Sequence, residues 1–112
     1  MHEASIVEAL VKTVVAALPE PGLKVTAIRL VVGEATGYME SSLKFYFSTL
    51  AKGTAAEGAE LDVRYVKPLV KCAACGLEFV RPRWSFACPD CGGEGRLTKT
   101  GSEFFVDSID AE

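Results

Sequence analysis

Apolar residues between Ile6 and Leu18 return at helical spacing. Ile6, Leu10, Val14 and Leu18 form one row, and Val7, Val11 and Val15 lie beside it. This predicts an amphipathic helix that ends at PEPG, residues 19 to 22. So much β-branched valine is a poor intrinsic choice for a helix, so packing against a sheet must hold it. KVTAIRLVV, residues 24 to 32, reads as an inner strand running into Gly33, and GEATG as a turn. Leu43, Tyr46, Phe47 and Leu50 share one face of a second helix from about Ser41 to Lys52, with Gly53 as its stop. GTAAEGA is a loop. ELDVRYV, residues 60 to 66, alternates Leu61, Val63 and Tyr65 against Glu60, Asp62 and Arg64, the period of a half-covered strand.

The pattern then changes. Residues 70 to about 95 hold all four cysteines, two of the five prolines and the only tryptophan, without helical periodicity. SEFFVDSI, residues 102 to 109, reads as a strand that returns to the first sheet. The expected fold is α/β: a small sheet of about three strands packed with two helices, plus an inserted zinc-ribbon-like module with two CxxC knuckles. The expected domains are an α/β domain at 1–69, completed by a strand at 101–110, and a metal-binding module at 70–98.

Composition narrows the function. Of 112 residues, 49% are hydrophobic, enough for a real core. A formal charge of −3 argues against a dominant nucleic-acid surface. Glu3 and Glu8 interrupt the early apolar positions and no basic stretch precedes them, so no signal peptide is expected. No run approaches the length of a membrane span. Reduced cysteines and a cytoplasmic location follow as expectations.

The cysteines fall as CAAC at 72–75 and CPDC at 88–91, each pair followed by a glycine, Gly76 and Gly92, suited to a tight turn. Cys72, Cys75, Cys88 and Cys91 together supply a complete tetrahedral set of thiolates. That favours a closed, structural Zn(II) site whose metal contributes directly to folding. Iron can occupy four thiolates as well, and would give a rubredoxin-like electron carrier. A redox CxxC fits less well, since one pair would suffice for it. Phe79, Trp84 and Phe86 read as a small core around the metal. Lys71, Arg81 and Arg83 read as a solvated face or a protein contact, too few charges for an RNA surface.

The single histidine is His2, between Met1 and Glu3. The α-amine of Met1, the backbone nitrogen of His2 and its imidazole can chelate one divalent ion in rings closed within a residue. Glu3 can add its carboxylate or its backbone nitrogen. Displacing an amide proton calls for an ion favouring tetragonal nitrogen geometry, Ni(II) or Cu(II). A lone terminal histidine is more often an ordinary surface residue. No nucleophile has a histidine base and no glycine-rich phosphate loop is present, so an enzyme is not expected. Glu34 reads as ordering its turn, and Glu57 and Glu60 as a solvated loop.

These features together resemble the HypA/HybF family, nickel-insertion accessory proteins of nickel–iron hydrogenase maturation. The resemblance rests on MHEASI at the start, VVGEATG at 31–37, LKFYF at 43–47 and GTAAEGAELDV at 53–63. The four knuckle cysteines and GSEFFVDSID at 101–110 complete it. It implies a nickel metallochaperone with His2 and Glu3 at the nickel site, to which the chelate above adds the α-amine of Met1, and with Cys72, Cys75, Cys88 and Cys91 at the zinc site. Implied partners are a nickel-handling GTPase of the HypB type, the hydrogenase large subunit and, for some members, urease maturation proteins. No nucleic acid and no membrane are implied. Two departures are Ala4, where the family usually has leucine, and the lack of histidine near the cysteines. The competing reading is a zinc-ribbon adaptor for protein or RNA with His2 incidental.

Overall fold

The computed structural model describes residues 3–80 and 86–112. Its elements, in chain order, are α1 (Glu3–Ala16), β1 (Val25–Gly33), a short 3-10 turn (Glu34–Thr36), α2 (Glu40–Leu50), β2 (Glu60–Val66), β3 (Leu69–Cys72), β4 (Glu78–Val80), β5 (Gly95–Leu97) and β6 (Phe104–Ala111). The strands form two three-stranded sheets, β2-β1-β6 and β4-β3-β5. Two helices, a three-stranded sheet and a cysteine module are thus the architecture that the hydrophobic pattern predicts.

The chain divides into two compact units. One comprises Met1–Val31, Tyr38–Arg64 and Phe104–Glu112; the other comprises Val32–Gly37 and Tyr65–Glu103.

In the first unit, Ile6, Val7, Leu10, Val11 and Val14 are the buried face of α1. α1 packs on α2, whose buried residues are Leu43 and Phe47. Ile28 and Leu30 of β1 and Leu61 of β2 are buried as well. The helix is two residues shorter at its end than expected: beyond Ala16 the N–H of Ala17 is shared between the carbonyls of Thr13 and Val14, and the chain breaks before Pro19. At its start the helix extends back to Glu3, because the polar residues there belong to its outer face. β2 keeps its alternation, with Glu60, Asp62 and Arg64 exposed and Leu61 buried.

β6 runs antiparallel to β1. Lys24 and Glu112 exchange both backbone hydrogen bonds at one end, each at 2.9 Å. A fork of side-chain bonds ties the same two strands. Arg29 Nη1 donates to Ser108 Oγ and Asp110 Oδ1, each at 3.1 Å, and Nη2 donates to Asp110 Oδ2 at 2.8 Å.

In the second unit, β3 is central. It pairs antiparallel with β4, Val70 opposite Phe79, and with β5, Cys72 opposite Gly95. Val70, Cys72, Phe79 and Cys88 form its buried cluster. The turn after β1 also belongs here. Gly33 N–H donates to the Glu103 carbonyl at 2.7 Å and Ala35 N–H to that of Gly101 at 2.8 Å. At this crossing a Cβ on Gly33 would fall onto the Gly101 carbonyl, and one on Gly101 would lie 2.6 Å from the Cα of Pro68.

Candidate metal centre

Each CxxC pair is folded as a knuckle, and the two are built alike. In the first, Cys72 N–H donates to the Leu77 carbonyl at 2.9 Å and Gly76 N–H returns to the Cys72 carbonyl at 3.0 Å. In the second, Cys88 N–H donates to the Gly93 carbonyl at 2.8 Å and Gly92 N–H to the Cys88 carbonyl at 2.9 Å. Gly76 and Gly92 take φ of +78 and +75, the left-handed backbone that a side chain would disfavour. Both glycines therefore serve the tight turns that their positions predict.

The folding brings all four sulfurs together. Every Sγ of Cys72, Cys75, Cys88 and Cys91 lies within 4.8 Å of the other three. Cys72 and Cys91 are 3.5 Å apart, and Cys75 and Cys88 3.7 Å. Thiolates about 2.3 Å from one ion at tetrahedral corners stand about 3.8 Å from each other, so the set fits a single metal ion. The spacing also rules out disulfides, and all four cysteines are free.

Backbone donors turn inward. Ala74 and Cys75 N–H groups point to Cys72 Sγ at 3.4 Å, and Gly93 N–H to Cys91 Sγ at 3.4 Å. These bonds stabilise thiolate over thiol. The Cys75 and Ala74 N–H groups bring Cys72 down to about 6 against the pull of burial. Cys91 is pushed up to about 12: the Gly93 N–H acts to lower it, but bonds shared with the sulfurs of Cys72, Cys75 and Cys88, with burial, outweigh that. Cys75 is raised too. There the Leu77 N–H and Cys91 act to lower it and are outweighed by burial and by Cys72 and Cys88. Four sulfurs this close therefore share protons among themselves, and a cation that replaces those protons satisfies all of them.

Cys72 and Cys88 are buried, while Cys75 and Cys91 face outward. Gly93 is a residue that spacing alone does not single out. A Cβ there would lie 2.9 Å from Cys72 Sγ and 3.2 Å from Cys91 Sγ, so the second glycine of CGG keeps clear space against the sulfurs. Phe79 lies in the small core as expected. Phe86 is not part of that buried cluster, being 37% exposed, and its carbonyl accepts from Gly95 N–H. Lys71 lies on the exposed face of β3. Trp84, Arg81 and Arg83 lie outside the described residues.

Met1 and His2 also lie outside the described residues. Glu3 is the first residue of α1, and its carboxylate accepts the backbone N–H of Met39 at 3.3 Å. Glu34 opens the 3-10 turn and its carbonyl accepts from Gly37 N–H, so the residue orders its turn through the backbone. Glu57 is exposed in its loop as expected; Glu60 is exposed too but is the first residue of β2, not part of the loop.

The chain matches the family described as "Hydrogenase/urease nickel incorporation, metallochaperone, hypA" over residues 1–111. It belongs to the HypA family. Relatives agree along their whole length. The hydrogenase maturation factor HypA of Caldanaerobacter subterraneus subsp. tengcongensis is 44% identical, with all of both chains covered. That of Chlorobaculum tepidum is 42% identical, again with all of both chains covered. In fold, the chain is similar to the solution structure of the Ni metallochaperone HypA from Helicobacter pylori, with a TM-score of 0.65 at 22% identity, covering 98% of this chain and 97% of that one. As a HypA family member the chain is a nickel-incorporation metallochaperone of hydrogenase maturation and not a catalyst. Among the described residues no helix is long and apolar enough to cross a membrane.

Proposed function

We propose that this protein binds Ni(II) at its amino terminus and delivers it to the large subunit of a nickel–iron hydrogenase. The Met1 α-amine, His2 and Glu3 are the donors. The observation that carries this reading is that the family match begins at residue 1, so the only histidine of the chain lies inside it at position 2. A chelate at a chain end suits a carrier. It is open on one side, so ligands of a receiving protein can approach the ion before the first set lets go.

Zn(II) is the proposed resident ion of the cysteine site, held by Cys72, Cys75, Cys88 and Cys91. Four thiolates close the coordination shell, so the ion supplies folding energy to the module and has no vacancy for cargo. The two metals thus have separate ligand sets, nitrogen and oxygen for nickel and sulfur for zinc. The partners we infer are a GTPase of the HypB type and the hydrogenase large subunit. The family description also names urease, and urease maturation proteins are the further partners inferred. The cytoplasm is the inferred compartment.

Nickel titration of zinc-loaded protein with its native amino terminus tests the reading. Calorimetry gives stoichiometry and the visible spectrum gives geometry. One nickel per chain, lost both in His2→Ala and in protein with one extra amino-terminal residue, is the expected result. Nickel retained in both controls would move the site elsewhere. No uptake by the native-ended protein would leave a zinc-ribbon adaptor as the better account.

A further inference from the structure

Lys71 and Arg96 stand directly opposite each other on β3 and β5, and Glu78 stands opposite Lys71 on β4. The three side chains make one row across the small sheet, and all three residues are exposed. Opposed residues have Cβ atoms about 5 Å apart, and like charges so placed cost stability. Among the described residues neither cationic side chain has an ion pair or a hydrogen bond, although Glu78 is next in the row. The first unit treats its cations differently: Lys12, Arg29 and Lys44 each meet a carboxylate, at 3.2, 2.8 and 2.7 Å. A groove of about 520 Å³ opens at the unmatched pair. Its walls include Lys71, Arg96 and Thr98, with Ala73, Ala74 and Gly76 of the first knuckle.

We propose that this groove docks an acidic peptide segment of a partner protein, with Lys71 and Arg96 sharing its carboxylates. The guanidinium of Arg96 can take one carboxylate through two parallel N–H bonds, and the ammonium of Lys71 can take the same group or the next one. A bound carboxylate cancels the repulsion that the free pair carries. Alanine and glycine along the knuckle leave room for a chain to lie against it. The knuckle turn belongs to the folded module, so docking follows the metal-loaded state. A peptide fits better than a nucleic acid. None of the described residues lining the groove is aromatic, so a base has nothing to stack on, and a chain of charge −3 opposes a polyanion. That same charge turns an acidic segment away from the rest of the surface and toward the pair. The groove lies within the second unit, and its chemistry is independent of where nickel binds.

The test measures fluorescence anisotropy with zinc-loaded, full-length protein. Three dye-labelled probes are compared: a short peptide alternating aspartate and alanine, its asparagine counterpart, and an oligouridylate of the same charge as the first. The aspartate peptide should bind about tenfold or more tightly than the other two. Lys71→Gln and Arg96→Gln should each weaken it about tenfold. Lys52→Gln, which removes an exposed cation just past α2, should leave it unchanged. Both groove variants should keep one zinc per chain and melt at or slightly above the wild-type temperature, since each relieves a like-charge contact. No binding of the aspartate peptide would overturn the proposal. Lower melting in both groove variants would give the cations a structural role and overturn it as well. An equal loss in Lys52→Gln would reduce the effect to net charge, and equal or tighter binding of either other probe would replace the carboxylate with another ligand. Each of those results is fatal too. Self-association of the protein alone, seen in sedimentation and abolished by Arg96→Gln, would put a second copy in the groove and overturn the partner segment.

Discussion

Gly33 and Gly101 meet backbone to backbone: a β-carbon on the first would occupy the carbonyl oxygen of the second. Neither atom is a flexible side-chain end, so the clash cannot be relieved by a rotamer change. Gly33→Ala should destabilise the protein by about 2 kcal/mol or more, near the upper part of the overpacking range. Thermal unfolding compared with Gly37→Ala separates the causes. Gly37 has positive φ but open space where a Cβ would go, so it tests backbone strain alone.

Gly93→Ala should injure the metal centre directly. The added methyl presses on Cys72 Sγ and Cys91 Sγ, two of the four donors. Zinc competition against a chromophoric chelator should show one zinc per chain still bound, about tenfold more weakly. Gly92→Ala strains its backbone at φ +75 without that contact, and should lower stability with less effect on zinc affinity.

Chelation of the metal should unfold part of the molecule. β3, β4 and β5 span only three or four residues each, and their buried cluster includes two of the cysteines themselves. Such a core is too small to stand without its ion. Far-ultraviolet circular dichroism should keep the signal of α1 and α2 after zinc removal. Amide protection should disappear at Val70 and Cys72 and persist at Ile28 and Leu30.

Leu43→Ala probes the other core. Leu43 is fully buried in α2, so truncation should cost about 2–5 kcal/mol, read from chemical denaturation. Phe45→Ala, two residues on and 66% exposed, should cost little in the same experiment.

The Arg29–Asp110 fork sets a pH dependence of known sign. The hydrogen bond from Arg29 holds the Asp110 carboxyl below its usual 3.8. A carboxyl lowered by folding contributes stability above its unfolded pKa and loses it as pH falls through the folded one. The contribution is therefore complete at neutral pH and lost below about pH 4, the ordinary range of the group. Both side chains are about half exposed, so the effect is small. Asp110→Asn should lower the melting temperature slightly at pH 7, by an amount that shrinks as pH falls below about 4.

Elements that repeat along the chain are legible in sequence. The 3.6-residue rows of α1 and α2, the alternation of β2 and the two knuckles all announce themselves locally. The metal centre is legible for the same reason, since CxxC and its glycine form a complete local instruction. β3 to β5 are too short to show a period, so a strandless module and a small sheet read alike. The hydrogen bond from Met39 N–H to Glu3, the Arg29 fork and the crossing of Gly33 with Gly101 join residues far apart in the chain. Nothing at either partner marks the other. Phe86 illustrates the limit in another way: an aromatic between two knuckles looks like core, yet it is 37% exposed and lies outside the buried cluster.

The strand order β2-β1-β6 also has a topological outcome. Between Val66 and Phe104 the backbone leaves that sheet and comes back to it. A protease that nicks the stretch would put β1 and β2 on one fragment and β6 on the other, with β6 still annealed to β1. The severed molecule would be a noncovalent heterodimer, whose halves part only on dilution.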